Sequence, residues 1–230
     1  MPTVLITGAS RGLGLEFTRQ YLAEGNAVIA ACRTPDAAHG LAQLARQSKG
    51  TLSVVQVDVT DTESVRRSAE QVKSPTVDIL INCAGAIGAS AQTIGSLDYD
   101  DWRQVLEVNV LGPARMSEAF LDRVARSERR LIVTITSGMG SLADNTSGGY
   151  IPYRTSKAAV NMVMRSAAID LKPRGITCVV VNPGWVKTDM GGPNAMMEVS
   201  EGGKTSAQLA TLPDDGPNGG FYHLGQPVPW

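Results

Sequence analysis

The chain has 230 residues, which is long enough for one domain with a large hydrophobic core. Its net charge of −1 at pH 7 and the absence of a long basic run argue against nucleic acid or a membrane surface as partners. Three scattered cysteines and two histidines form no zinc motif, so we expect reduced thiols and no metal site. The sequence shows neither a signal peptide nor a membrane-spanning run, which predicts a cytoplasmic protein.

Short apolar runs alternate with helical stretches along the chain. The runs that predict strands are, in order, 4–6, 27–31, 53–57, 78–81, 131–135 and 177–181. The stretches that predict helices are 13–24, a segment capped by Asp61, 99–127 and 153–171. Strands this short and this continuously apolar are typical of a parallel sheet with helices on both faces. The predicted fold class is therefore α/β, a doubly wound parallel sheet (Rossmann fold) in a single domain, residues 1–230.

The last part of the chain, from residue 191, is rich in Gly, Pro and polar residues. This composition predicts irregular structure with one short helix and a final hairpin around Phe221, Tyr222 and Val228. Large apolar residues before and within it lie near the motifs described below: Met139, Tyr150, Trp185, Met190, Met196 and Met197. Because methionine adapts to varied apolar shapes, we interpret residues 189–205 as a substrate lid, although ordinary core methionines explain the same pattern.

A glycine-rich segment follows the first predicted strand. Gly8, Gly12 and Gly14 occur where a helix is about to begin, in a GxxxGxG spacing rather than GxGxxG. Free backbone N–H groups and the helix dipole favour a phosphate there, and glycines let the pyrophosphate of a dinucleotide approach. The alternative is an ordinary glycine turn in a strand–helix unit.

The end of the second strand indicates which dinucleotide fits. An acidic residue there would bind the ribose 2′-hydroxyl of NAD, but the first carboxylate is Asp36 and Arg33 stands before it. A guanidinium suits a 2′-phosphate, and Arg11 in the glycine loop can reach the same group. The sequence therefore favours NADP(H), against the alternative of two solvated surface arginines.

A possible proton donor lies four residues before a cation. Tyr153 and Lys157 share one face of a predicted helix. An ammonium beside a phenol favours the phenolate, so we expect the pKa of the tyrosine to be lowered toward a useful range for acid–base work. By itself the pattern is weak, because a tyrosine packed on a lysine stem gives the same spacing.

Polar residues follow several predicted strands at their carboxyl ends, where open α/β sheets bind ligands. Ser137 follows the fifth strand, Asn82 the fourth and Asn182 the sixth. Asn109 lies within an apolar stretch of a predicted helix, where asparagine is a poor helix former. A buried amide needs hydrogen-bond partners, so Asn109 is either a site residue or a core asparagine satisfied by backbone.

Taken in order, these motifs resemble the short-chain dehydrogenase/reductase family over nearly the whole chain. The matching elements are 7–14, Asp58, 82–85, Asn109, Ser137, Tyr153 with Lys157, and 183–188. The Cys32-Arg33 pair, the segment 184–190 and the aromatic terminus at Trp230 are similar to the subgroup of C-factor and sniffer-type carbonyl reductases. One departure is Cys83, where the family often has a second asparagine; we expect that position to be supportive.

The resemblance implies a role for each matching position. Tyr153 would give its proton to a carbonyl oxygen, Ser137 would hydrogen-bond that oxygen, and Lys157 would hold the nicotinamide ribose. Asn109 would anchor a water in a proton relay. The implied catalytic residues are Asn109, Ser137, Tyr153 and Lys157. The implied cofactor-binding residues are Gly8, Ser10, Arg11, Gly12, Leu13, Gly14, Arg33, Asp58, Val59, Asn82, Ala84, Gly85, Tyr153, Lys157, Pro183, Gly184, Val186 and Thr188.

The predicted function is NADPH-dependent reduction of a ketone or aldehyde to an alcohol, with a small carbonyl or alcohol as substrate. The same groups serve an alcohol dehydrogenase running in the oxidative direction. About 40 residues follow Thr188, too few for the extra domain of a sugar-nucleotide epimerase. An alternative of another class is a cofactor-binding signalling or sensor protein with incidental turnover. The predicted helices at 99–127 and 153–171 are apolar on more than one face, with residues such as Trp102, Val105, Met162 and Ile169. In relatives of the family that the chain resembles, this helix pair forms a two-fold interface, so the resemblance implies a homodimer or homotetramer.

Overall fold

The computed structural model describes residues 1–90, 92–210 and 218–230, without the side chains of 205–210. The described residues form one eight-stranded sheet with the order β3-β2-β1-β4-β5-β6-β7-β8. The strands are β1 Thr3–Thr7, β2 Ala27–Cys32, β3 Leu52–Gln56, β4 Ile79–Asn82, β5 Leu131–Ile135, β6 Thr177–Asn182, β7 Phe221–His223 and β8 Gln226–Pro227. Seven strands are parallel, and β8 is antiparallel to β7. The predicted doubly wound sheet and its closing hairpin are confirmed.

Helices cover both faces of the sheet. They are α1 Gly12–Ala23, α2 His39–Gln47, α3 Thr62–Gln71, α4 Tyr99–Leu106, α5 Gly112–Ala125, α6 Ile151–Asp170 and α7 Val199–Ala210. Neighbouring residues of β1 alternate between the two cores: Leu5 belongs to one, and Val4 and Ile6 to the other. Helices α3, α5 and α6 pack on the Leu5 side, and α1 and α2 pack on the opposite side. A strand buried on both faces explains why the apolar runs are continuous.

Two helical features differ from expectation. The predicted helix 99–127 is interrupted by a π-helical turn at Glu107–Leu111, between α4 and α5. Helix α2 was not predicted, because His39–Gln47 is a mostly polar stretch with only Leu41 buried. The predicted single helix of the tail is present as α7, which packs against α1 through Gly202. In the segment 189–205, which was expected to be a lid, Met197 forms a β-bridge with Val186, just before the segment. The segment ends in the start of α7.

Within the described ranges, no helix is long and apolar enough to cross a membrane, and no three His, Cys, Asp or Glu side chains are grouped as a metal site would need. The three cysteines are free, as expected. Cys32 and Cys178 are buried. Cys83 follows β4 and is half-buried as a whole residue, although its thiol is enclosed.

Candidate active site

The glycine loop joins β1 to α1 at the carboxyl edge of the sheet. Gly8 has a φ of 66°, and a Cβ built on it would lie 2.8 Å from the Cα of Ala84. A Cβ on Gly14 would lie 2.3 Å from the carbonyl oxygen of Gly8, so a side chain is excluded there. Gly12 has more room, since its nearest neighbour would be the Thr188 methyl at 3.4 Å. Gly8 and Gly14 therefore let the loop pack tightly against its neighbours, and Gly12 leaves an open cleft that Thr188 faces.

Helix α1 begins at this loop without a side-chain cap. The N-cap residue Arg11 has an extended backbone, and its side chain offers no acceptor for the N–H groups of the first turn. The first turn contains no acidic residue. The free N–H groups and the positive end of the helix dipole therefore face the cleft. Ser10 is half-buried in the loop. Leu13 packs on the core, and a Cβ at Gly202 would lie 3.0 Å from its methyl.

The π turn places Asn109 at the cleft. Its side chain is 1% exposed, and its Oδ1 accepts a hydrogen bond from the Ala86 N–H at 2.8 Å. Its Nδ2 donates to the Ala86 carbonyl oxygen at 2.8 Å and to the Ser156 hydroxyl at 2.9 Å. The amide is therefore fixed from two sides, between the loop after β4 and helix α6. Single π turns inside α-helices occur frequently at functional sites.

Ser137 and Tyr153 meet where β5 ends and α6 begins. Ser137 caps the short 3-10 turn Gly138–Gly140, accepting a hydrogen bond from the Met139 N–H at 3.1 Å. Tyr153 is buried, with 8% of its surface exposed. Burial raises the pKa of the Tyr153 phenol, and a hydrogen bond with the Ser137 side chain opposes this rise. The phenol therefore keeps its proton at neutral pH.

Lys157 lies one helical turn after Tyr153 and is 5% exposed. Its ammonium donates to the Ile135 carbonyl oxygen at 3.0 Å and lies 5.6 Å from the centre of the Tyr153 ring. Burial lowers the pKa of Lys157 to about 8, and the nearby Cys83 thiol opposes that change. Burial of this thiol raises its own pKa to about 12, so it is uncharged at neutral pH.

The expected lowering of the tyrosine pKa by the lysine is wrong. The two side chains share a helix face, as predicted, but the phenol responds first to burial and then to Ser137. An ammonium that itself gives up its proton near pH 8 offers less charge than an exposed one. The direction of the shift could not be read from the spacing, because the spacing does not report burial.

The adenine end expected from the sequence lies at the loop after β3. Asp58 accepts hydrogen bonds from the Thr60 N–H at 2.9 Å and from the Thr60 hydroxyl at 2.7 Å. Burial raises the pKa of Asp58, but these bonds and the charge of Arg33 outweigh it, so the pKa lies below its usual range. Val59 packs against Gly112, where a Cβ would lie 2.9 Å from the valine methyl. Arg33 is exposed and lies on the same side as Asp58.

Other predicted cofactor residues take backbone or supporting positions. Asn82 is 2% exposed, and its Nδ2 donates to the hydroxyls of Ser117 and Thr134, both at 3.3 Å, so its side chain faces the core. The Ala84 N–H donates to the Thr7 hydroxyl at 3.1 Å, which ties the loop after β4 to the end of β1. Gly85 is exposed in the cleft.

The segment after β6 forms the far wall of the cleft. Gly184 has a φ of 84°, and its N–H donates to the Asn182 Oδ1 at 3.0 Å. Pro183 and Val186 are buried. The Thr188 hydroxyl accepts the Gly191 N–H at 3.1 Å, which turns the chain back after the wall.

The family was identified by comparison with known proteins. The model of the short chain dehydrogenase family matches residues 2–198. The chain belongs to the short-chain dehydrogenase family. This short-chain dehydrogenase is 40% identical over 167 residues to C-signal of Myxococcus xanthus, covering 72% of the chain and all of the relative.

Solved structures extend the likeness to the whole chain. Carbonyl reductase Sniffer of D. melanogaster has a TM-score of 0.93 at 29% identity, covering 100% of both chains. The NADPH-bound carbonyl reductase from chicken fatty liver has a TM-score of 0.91 at 34% identity, covering 100% of this chain and 99% of the other. The chain is thus an oxidoreductase of this family with carbonyl reductases among its structural neighbours.

Sequence reasoning missed two features of this short-chain dehydrogenase. Ser156, which holds the Asn109 amide, is fully buried on α6, but a serine between Tyr153 and Lys157 gives no signal of its own. Asp189 forms an ion pair with Arg11 at 2.5 Å, which engages an arginine that was expected to be free for a phosphate. The two residues are 178 positions apart, so the pairing has no local pattern.

Proposed function

We propose that the protein reduces a ketone or aldehyde carbonyl to an alcohol with NADPH. The observation that carries this proposal is the convergence of Ser137, Tyr153, Lys157 and Asn109 beside the glycine loop. Two of these groups lie close together, since the Lys157 ammonium is 5.6 Å from the centre of the Tyr153 ring. Both lie at the carboxyl edge of the sheet, where ligands bind in open α/β folds.

The residues present fit a nicotinamide dinucleotide. The uncapped start of α1 and the tightly packed glycine loop before it, which is open only at Gly12, suit a pyrophosphate. Asp58 and Val59 would hold the adenine end, and Val186 and Thr188 the nicotinamide end. NADPH bound there would supply the hydride for the carbonyl carbon.

The protein's own groups supply the proton. Tyr153 keeps its proton at neutral pH because burial raises its pKa, and a protonated phenol is what carbonyl reduction needs from a general acid. Ser137 would hydrogen-bond the carbonyl oxygen and orient it toward the phenol. In the reverse reaction, alcohol oxidation, the same phenol would act as the base.

A buried phenol must regain its proton after each turnover. Lys157 lies next along the helix, and its pKa of about 8 lets it exchange a proton near neutral pH. Asn109 and Lys157 both approach Gly85, since a Cβ there would lie 3.5 Å from Asn109 Oδ1 and 3.8 Å from Lys157 Nζ. We assign them to proton return from solvent, with Lys157 also holding the nicotinamide ribose.

The preference for NADPH rests on Arg33 and Arg11. Arg33 is exposed beside Asp58 at the adenine end, where a 2′-phosphate would lie. Arg11 stands at the N-cap of α1. The chicken carbonyl reductase, 34% identical, binds NADPH, which supports the same choice here.

The substrate is proposed to be a neutral, apolar carbonyl compound. Large apolar side chains are exposed along the segments next to the cleft, including Tyr150 at 49%, Trp185 at 52% and Met196 at 81%. The cation just before the lid is paired, since Lys187 Nζ lies 2.5 Å from a carboxylate oxygen of Glu198. Residues 189–205 would cover the substrate as a lid.

A substrate panel tests the function. Ketones, aldehydes and quinones are added to the protein with NADPH, and oxidation is followed by the loss of absorbance, with NADH as control. We expect turnover of apolar aromatic or aliphatic carbonyls with NADPH. If both cofactors bind by fluorescence but no carbonyl is turned over, the reductase proposal fails and a cofactor-binding sensor protein is favoured.

We also propose a homodimer or homotetramer. Met162 and Ile169 on α6 are 65% and 62% exposed, and Tyr99 on α4 is 62% exposed. Val105 is buried and cannot line an interface, contrary to expectation. Light scattering at micromolar concentration tests this, and a monomer would contradict it.

A further inference from the structure

The residue that follows the far wall of the cleft reaches across to the glycine loop. Asp189 Oδ2 accepts a hydrogen bond from Arg11 Nη1 at 2.5 Å, and each side chain is 75% exposed. The pair therefore joins the start of the lid to the N-cap of α1, over the mouth of the proposed cofactor cleft. Neither residue is part of the buried catalytic group.

The chain around Asp189 is held in a tight turn that directs it toward α1. The Gly191 N–H donates to the Thr188 hydroxyl at 3.1 Å, and the Gly192 N–H donates to the Thr188 carbonyl oxygen at 2.8 Å. The Trp185 indole donates to the Gly191 carbonyl oxygen at 2.8 Å. The position of the carboxylate is thus set by backbone geometry as well as by its partner.

The next residue shows that this turn enters the cleft. A Cβ built at Gly85 would lie 3.9 Å from the Met190 methyl and 3.8 Å from Lys157 Nζ. Met190 therefore lies near the lysine proposed for the nicotinamide ribose, while Asp189 engages an arginine proposed for the adenine ribose. Two consecutive residues of the lid approach groups that the cofactor would use.

We propose that Asp189 limits the preference for NADPH over NADH by competing with the 2′-phosphate for Arg11. Asp189 occupies the Nη1 group of Arg11. A phosphate bound to this guanidinium by two parallel N–H bonds would use the same group, so the carboxylate competes with it. NADH carries no 2′-phosphate and leaves the ion pair intact. The cost of breaking the pair falls on NADPH alone. This inference rests on the proposed role of Arg11 in NADPH binding.

Cofactor affinity in the absence of substrate tests the competition. Asp189→Asn removes the charge and keeps the shape. We expect NADPH to bind about two- to fivefold more tightly, the range that exposed ion pairs contribute, and the NADH affinity to stay unchanged. Protein fluorescence or calorimetry gives both dissociation constants without turnover.

Two further variants separate competition from a general loosening of the lid. Glu198→Gln breaks the exposed Lys187–Glu198 pair, which ties a lid residue to the segment before the lid and does not touch Arg11. It should alter neither cofactor's affinity. In an Arg11→Met background, Asp189→Asn should no longer change NADPH binding.

The outcomes are distinct. Weaker NADPH binding by Asp189→Asn, equal gains for both cofactors, or the same gain from Glu198→Gln would each overturn the competition while the reductase proposal stands. Wild-type protein that binds NADH more tightly than NADPH would overturn the NADPH assignment, and this inference with it.

Discussion

The two ends of the proposed cofactor cleft are built in different ways. At the nicotinamide end, Tyr153, Lys157 and Asn109 are at most 8% exposed, and each is fixed by the sheet or by α6. At the adenine end, the groups proposed to choose the cofactor are exposed arginines, and one of them pairs with Asp189 at the surface. Buried groups hold a geometry but resist change, whereas exposed charges are weak, screened by salt and easily altered. We expect the chemistry to be robust and the cofactor selectivity to be adjustable.

The largest effect is expected from a substitution at the buried, nicotinamide end. Tyr153→Phe removes the proton donor and keeps the ring, so turnover of any carbonyl that the wild type reduces should fall by about 10²- to 10⁴-fold. NADPH affinity should survive, because the phenol contributes little to holding the dinucleotide. Steady-state rates and fluorescence titration measure the two quantities. Near-normal turnover would show that Tyr153 is not the acid.

At the exposed, adenine end, Arg33→Ala removes a proposed contact to the 2′-phosphate. A charge-assisted phosphate contact contributes about 1.5–3 kcal/mol, so NADPH should bind about ten- to a hundredfold less tightly. NADH affinity should barely change. Arg46→Ala, at another exposed arginine, on α2, is the control. Equal losses for both cofactors would contradict a 2′-phosphate contact.

The glycine loop lies between the two ends of the cleft. Gly14→Ala tests how tightly this loop is packed. The new methyl would meet the Gly8 carbonyl oxygen at 2.3 Å, so the backbone must move. We expect the free energy of unfolding to fall by roughly 1–3 kcal/mol and both cofactors to bind more weakly. Gly40→Ala is the control, since its methyl would meet only the end of the Leu15 side chain. Denaturant unfolding that shows equal losses for both variants would argue against a special role for the loop.

The last prediction concerns stability as a function of pH, which measures what burial of Lys157 costs. The pKa of this lysine is lowered from 10.5 to about 8 in the folded protein, so between those pH values the unfolded chain binds the extra proton. Stability should therefore rise with pH across that window, by roughly 1 kcal/mol per pH unit. Below pH 8 the lysine is charged in both states and the penalty is constant.

Lys157→Met should abolish that rise. The free energy of unfolding is measured by denaturant at several pH values for the wild type, Lys157→Met and the exposed Lys172→Met as control. A wild-type profile parallel to that of Lys157→Met would mean that the buried ammonium does not titrate in this range.

The sequence could predict those features of the protein that depend on local patterns. The strands, the glycine loop and the polar residues at the carboxyl edge were predictable, because apolar runs and strand–helix alternation are local patterns. The π turn at Glu107–Leu111 was not, since its residues fit a continuous helix and only Asn109 stood out. The roles of the site residues remain proposals.

Long-range pairing was the second limit. The Arg11–Asp189 contact joins positions that no spacing rule connects, and the pKa of Tyr153 follows from burial that only the fold defines. Motifs indicated which side chains gather at the edge of the sheet. They did not indicate which of them would already be engaged by a neighbour.

The packing of α7 on α1 has a consequence for engineering. A Cβ at Gly202 would lie 2.7 Å from a Val186 methyl and 3.0 Å from a Leu13 methyl, and one at Gly203 would lie 2.5 Å from the Gln20 amide. The two glycines allow the lid helix to approach the helix that begins at the glycine loop. A lid transplanted from another reductase with larger residues at these positions would push on α1 as well as reshape the pocket. Chimeras designed to exchange substrate range should therefore exchange positions 13 and 20 together with the lid, because otherwise we expect them to lose cofactor affinity as well as the original specificity.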